Sequence, residues 1–359
     1  MNIKFIKTSC IAFLFAIFIY ACSSDTSSND SSPTTVAQDR QNITNTFNDF
    51  YSCLSTLDDG QLSNFVLYSL FNSGSEQYNG TWLKTLSNQF ELQYGDLVLN
   101  NRMEFANNKG VYTWDNASQE WTKVANANII QLKFPSKSDV ATLDSELTLN
   151  SYVDTSTSFN NVEYWLPTNL TGSLKRDGIQ VFSINMSNIT YDSGTNFSMP
   201  LSANITIFTS PFTHTIQWQR ITNTDFRLTY SSSTPEGCSA NSLELNVKLY
   251  DADYTNIVSV KDDVKRVNGS FTQGNLRVEY EVNVEGLSFY TDPTPAQVTA
   301  NSTAVVYYNN QKIGDLSYDE IDNQTEIFIT YSDGTRENVD EYTSDFETTV
   351  RTIFANYLN

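Results

Sequence analysis

The chain has 359 residues, with 41 acidic against 21 basic side chains and a net charge of −20 at pH 7. An acidic excess of that size excludes nucleic acid and anionic lipid surfaces as main partners, because both demand a basic footprint. With His214 as the single histidine, the chain mostly lacks the imidazoles that zinc sites and histidine-assisted Ser or Cys nucleophiles require.

The first 22 residues carry Lys4 and Lys7, then an apolar run from Ile11 to Tyr20, then Ala21 and Cys22. This is the layout of a secretory signal peptide, and the run is too short to cross a bilayer core of roughly 30 Å as a helix. Ile19-Tyr20-Ala21-Cys22 resembles the lipobox of bacterial lipoproteins, with Tyr20 standing where a small residue is usual. The resemblance implies a signal peptide over 1–21, removed before Cys22, and acylation of that cysteine as the membrane anchor. It also implies the outer membrane of a Gram-negative bacterium, since Ser23 rather than an aspartate follows the cysteine. Cleavage removes two lysines and no acid, leaving 19 basic against 41 acidic residues. Residues 22–35 are small and polar, as a flexible tether should be.

From Val36, the apolar residues Ile43, Phe47, Phe50, Tyr51, Leu54 and Leu57 step by three and four, which predicts an amphipathic helix stopped by Gly60. A second short helix is expected over Leu62–Leu70. The rhythm then changes to two. Val111–Trp114 and Glu120–Val124 flank Asp115–Gln119 as a hairpin, and Ile129–Phe134 reads as a further strand ended by Pro135. Strand patterns continue to residue 332, broken at Asp177-Gly178, Gly274-Asn275, Asn309-Asn310 and Asp333-Gly334. Residues 36–166 thus form a helix with antiparallel strands.

Residues 167–359 carry an apparent duplication. Gly172-Ser173-Leu174 through Met186 matches Gly269-Ser270-Phe271 through Val284, and Phe226–Ser231 matches Ile327–Ser332, in the same order and at a nearly constant offset. Two β-meanders, about 171–232 and 268–332, follow from this, paired edge to edge or forming two similar lobes. Val339, Tyr342, Phe346, Val350, Ile353, Phe354 and Tyr357 then predict a C-terminal helix. The expected class is α+β: large, mostly antiparallel curved sheets from duplicated meanders, with amphipathic helices at both ends packed on them.

Candidate chemistry is thin. Asp251-Ala252-Asp253 with Asn256 offers oxygen ligands for calcium but lacks the glycine and terminal glutamate of an EF-hand loop, so a turn is the stronger reading. His214 sits in an alternating strand segment and reads as a surface or satisfied core residue. Asp262-Asp263 and Glu341–Glu347 read as solvated charge. The Asn-X-Ser/Thr triplets at Asn79, Asn169, Asn188, Asn268 and Asn301 reflect an Asn/Thr-rich composition. Cys53 and Cys238 are left beside Cys22, and sequence alone leaves their pairing open, with two separate thiols as the default. The aromatic residues Tyr112, Trp114, Trp121, Tyr164, Trp165 and Trp218 suit either core packing or a ligand platform.

A long antiparallel sheet with helices, on an exported lipoprotein, loosely resembles the lipoprotein-carrier family of half-barrels in element order alone. The resemblance implies shelter for an apolar or amphipathic ligand, or an envelope partner, on a concave sheet, and the residues themselves nominate no catalytic residue and no cofactor. Two alternatives stand beside it: a surface glycan-binding lipoprotein, and a carboxylate-dependent envelope hydrolase.

Overall fold

The computed structural model describes residues 34–58, 102–118, 120–136, 142–159, 162–192, 200–233, 238–254, 259–290, 293–321 and 324–342. Cys22, the tether, the expected helix at 62–70, Asn79, Asn256 and the C-terminal helix beyond its first turn (340–342) lie outside them. The elements are α1 (Val36–Asp58), β1 (Gly110–Asp115), β2 (Glu120–Ala125), β3 (Ile130–Phe134), β4 (Ser145–Phe159), β5 (Val162–Arg176), β6 (Ile179–Thr190), β7 (Ser202–Thr209), β8 (Phe212–Arg220), β9 (Asp225–Ser233) and β10 (Asn241–Leu249). They continue with α2 (Val260–Asp263), β11 (Val264–Gln273), β12 (Leu276–Val282), α3 (Val284–Ser288), α4 (Pro295–Ala300), β13 (Ser302–Tyr308), β14 (Gln311–Ile321), β15 (Gln324–Tyr331) and β16 (Arg336–Asn338). The class is α+β, dominated by antiparallel sheet.

The chain forms two compact units, 55–215 with 353–359, and 1–54 with 216–352, so the division falls inside β8. In the first unit the strand order is β2-β1-β3-β4-β5-β6-β7. β1 and β3 run parallel, Val111 opposite Gln131, because β3 pairs on the side of β1 away from its hairpin partner. The other strand pairs described in this unit are antiparallel. Alternation places Tyr112, Trp114, Ile130, Leu132, Phe134 and Leu174 on one face, where they pack with Trp121 and Val181 under Met103 and Phe105. Trp114 and Trp121 face each other across the hairpin, ring centres 5.4 Å apart, and Trp121 meets Phe134 edge-on at 6.1 Å. These aromatics form core, each contributing about 1.5–3 kcal/mol by leaving water. β2, at the edge, exposes Glu120 and Lys123, charges that discourage further strand pairing.

In the second unit β10-β11-β12-β13-β14-β15-β16 follow one another as an antiparallel meander, with β9 beside β10. The tight turns sit where the sequence places them. Asn309 and Asn310 both have positive φ (49° and 64°), as does Gly274 (54°), and in the first unit so do Asp177 (50°) and Gly178 (79°). Left-handed conformations at the first turn position, or at both, match strand twist, and Asn, Asp and Gly adopt them at least cost.

α1 starts at a reciprocal cap. The Thr35 N–H donates to Gln38 Oε1 at 2.8 Å, and the Gln38 N–H donates back to Thr35 Oγ1 at 3.4 Å. Ile43, with Val36 and Phe47, packs onto Leu276, Val306, Ile313, Ile329 and Tyr331 of the meander. Arg40 pairs with Glu337 of β16 at one end of the helix. At the other end Cys53 is joined to Cys238, which precedes β10, with Cα atoms 5.7 Å apart. The default of two separate thiols is therefore corrected. The bond joins residues 185 positions apart, a proximity created by the fold of the meander and invisible in local sequence. From Arg40 to Cys53 the helix advances roughly 20 Å, and the long Arg40 side chain and the disulfide extend that reach towards the ~29 Å of six inter-strand steps from β10 to β16. α1 thus lies across the strands, near the end carrying the Gly274 and Asn309 turns.

Candidate functional site

Strand register in the meander sorts its residues into rows. Leu243, Phe271, Val278, Val306, Gly314 and Tyr331 stand opposite one another from β10 to β15. Leu243, Phe271, Val306 and Tyr331 in this row are buried, 2–9 % exposed. The next same-face positions are Leu245, Gly269, Tyr280 and Ala304 in register, with Leu316 on β14. Val247, Val267 and Val282 follow. All of these are half-exposed. The surface they form is apolar and uncharged, and it continues through Tyr318 and Ile327, which are paired and also half-exposed. It is the candidate site.

The opposite face is its chemical inverse. Glu244, Ser270 and Glu279 are in register there, as are Asn246, Asn268 and Glu281. Ion pairs run across that face: Arg227 with Glu244 at 2.5 Å, Lys248 with Asp225 at 2.8 Å, Arg336 with Asp319 at 2.9 Å, and Arg266 with Glu281. Such pairs contribute little to stability, about 0–1 kcal/mol each when exposed. Their consequence is solubility for one face while the other stays apolar.

Tyr280 shapes the middle of the site. Its hydroxyl donates to the Glu244 carbonyl on β10 at 3.2 Å, so the ring crosses β11. It crosses at Gly269, where a Cβ would lie 1.9 Å from the Glu244 carbonyl oxygen and 2.9 Å from the Tyr280 hydroxyl. Glycine is thus required by close approach. Burial pushes the Tyr318 hydroxyl pKa up, and burial does the same to Tyr230, against an opposing hydrogen bond to Ser232. Both hydroxyls stay neutral at physiological pH.

The border under α1 is held by a polar cluster. Tyr331 and Tyr342 hydroxyls lie 2.8 Å apart, Tyr342 donates to Glu337 at 2.5 Å, and Arg40 lies 5.9 Å from the centre of the Tyr331 ring. Burial pushes Tyr331 up to about 12 and drives Tyr342 upward too, helped there by the Glu337 carboxylate. Burial alone would raise Glu337, but hydrogen bonds from Arg40 and Tyr342 outweigh it and hold this carboxylate below its usual range.

The residues singled out in the sequence are scattered. His214 is half-buried, its Nε2 2.8 Å from Thr209 Oγ1 and its ring stacked 6.4 Å from Phe212; burial lowers its pKa. Asp251 accepts from the Asp253 N–H at 2.8 Å, a local turn. Asp262 and Asp263 both bond Ser259, at the N-terminus of α2. Among the described residues no group of three or more His, Cys, Asp or Glu side chains is placed to hold a metal ion. Trp165 carries the Arg102 guanidinium 3.9 Å from its ring centre, with Arg102 bidentate to Asp154 at 2.9 Å. Trp218 stacks on Phe226 at 5.4 Å. None of these lies in the rows of the candidate site. Gly269 was legible as a member of the repeat, but Tyr280, Leu245 and Ala304 carry no motif; only their common register identifies them. Compared with protein-family models, curated proteins and solved structures, the chain matches none.

Proposed function

We propose that the protein is a lipid-anchored lipoprotein of the outer membrane that binds, without catalysis, an apolar or amphipathic ligand on the half-exposed face around Tyr280. The supporting observation is the division of one sheet into a charged, ion-paired face and an uncharged apolar face that α1 covers at one end. A ligand laid on Leu245, Tyr280, Ala304 and Leu316 gains about 25 cal/mol per Å² of apolar surface removed from water, before the costs of association. The neutral hydroxyl of Tyr318 suits a polar headgroup at its margin. The anchor rests on the lipobox resemblance at Cys22. Among the described residues no helix is long and apolar enough to cross a membrane.

The test uses the exported chain without residues 1–21. A solvent extract is analysed by mass spectrometry, and a lipophilic fluorescent probe is titrated into wild type and Ala304→Arg. A lipid species in the extract and probe binding weakened about tenfold by the added charge, a 1.4 kcal/mol effect, are the expected results. An extract identical to a blank, together with unchanged probe binding, overturns the reading. The glycan alternative needs exposed, coplanar aromatics, whereas Trp114 and Trp121 are 5 % and 7 % exposed.

A further inference from the structure

In an antiparallel meander every second connection returns to the same end of the sheet. In the unit containing β9–β16, the β8–β9, β10–β11, β12–β13 and β14–β15 connections share one end. Hydrogen bonds tie the first three together: the Leu249 N–H to the Thr224 carbonyl at 2.8 Å, Tyr250 N–H to Asp263 carbonyl at 3.0 Å, and Lys261 Nζ to the Tyr290 carbonyl at 3.0 Å. All six large apolar side chains counted as exposed in the described part of this unit sit on these connections or at their edges: Ile221, Tyr250, Val260, Phe289, Tyr290 and Ile321. Phe289 is 82 % exposed and Val260 55 %. The opposite end has Gly274-Asn275, Asn309-Asn310 and Ser332–Gly334, all exposed and none apolar. Chance scatter of surface hydrophobics does not produce that polarity, and clustered exposed apolar residues mark interaction sites.

Charge identifies the partner. Asp251, Asp253, Asp262 and Asp263, with Leu249 and Tyr250, line a shallow surface hollow with room for about one water molecule. The lysines of this end are engaged locally: Lys261 on the Tyr290 carbonyl, Lys265 with Glu285 at 3.2 Å, and Lys248 with Asp225. An apolar patch beside an acidic hollow repels anionic membranes and complements a segment that offers apolar side chains flanked by Lys or Arg. We infer that this end of the sheet, distinct from the ligand face around Tyr280, docks a cationic amphipathic segment of a partner protein.

The test titrates a fluorescent Leu/Lys peptide, amphipathic as a helix, against the chain lacking residues 1–21 and follows anisotropy. Saturable binding that weakens with added salt, and is absent for a Leu/Glu peptide of the same pattern, is expected. Phe289→Ser and the double variant Asp251→Asn/Asp262→Asn should each weaken it about tenfold, and Phe289, being exposed, can change without loss of thermal stability. Ala304→Arg on the ligand face should leave it unchanged. Equal binding of the two peptides, indifference to both end variants, or Phe289-dependent sedimentation with phosphatidylcholine vesicles in place of peptide binding each overturns the proposal.

Discussion

Gly269 and Tyr280 divide one task between them: the glycine leaves the space through which the tyrosine reaches β10. Replacing Gly269 with alanine forces a backbone contact of 1.9 Å, so the variant should lose about 3 kcal/mol, measured by urea unfolding. Gly178→Ala is the control. Nothing lies within 4 Å of its Cβ position, and only the left-handed backbone (φ 79°) is strained, at about 1 kcal/mol. His214 makes a pH-dependent prediction. Its folded pKa is depressed by burial, so its contribution is complete above the ordinary histidine value and is lost as pH falls below it. His214→Gln should flatten the decline in stability below about pH 6.5. Tyr331 acts at the other extreme. Its folded pKa of about 12 lies above that of a free tyrosine, so its contribution is present below pH 10 and is lost as pH rises towards 12. Tyrosinate absorbance during alkaline titration should therefore lag for Tyr331 together with the other buried tyrosines, Tyr342 among them, and Tyr331→Phe should remove one late-titrating group from that set.

At the scale of elements, α1 is the part whose stability is most open to test. The 185-residue separation closed by Cys53–Cys238 removes about 5 kcal/mol of unfolded-chain entropy in the loop-closure model, and measured disulfides commonly deliver 2–4. Cys53→Ser/Cys238→Ser should lower the thermal midpoint and increase proteolysis within α1 before any change in the strands. The bounds of α1 were legible because its apolar steps of three and four are regular, and the turns were legible because Asp-Gly and Asn-Asn pairs have few other uses in strands. The parallel pairing of β1 with β3 was not legible, since alternation fixes a strand's faces but says nothing about its neighbour. The apolar face of β11–β15 was also obscured in sequence. Val305, Tyr307 and Phe328 stand on the charged side, Tyr307 under Arg277 at 4.7 Å and Phe328 under Arg336 at 3.9 Å, which blurs the alternation.

At the scale of the whole molecule, the proposed anchor and the acidic charge bear on one prediction. With Cys22 as the proposed anchor, a Cys22→Ser variant should move from the membrane to the soluble fraction on cell fractionation, because a chain with 41 acidic against 21 basic residues is repelled by an anionic surface. The strand order carries a further consequence. Nearly every pairing in the meander joins neighbours in sequence, so hairpins can close one after another as the polypeptide emerges, at little cost in chain entropy. α1 is the exception: it is made first, yet its seat is built from β12 to β16, made last. During synthesis it must wait, apolar side bare, for most of the chain to arrive. A chain truncated after Ala300 should accordingly form its early hairpins and still leave Cys53 and Cys238 as free thiols, detectable by alkylation.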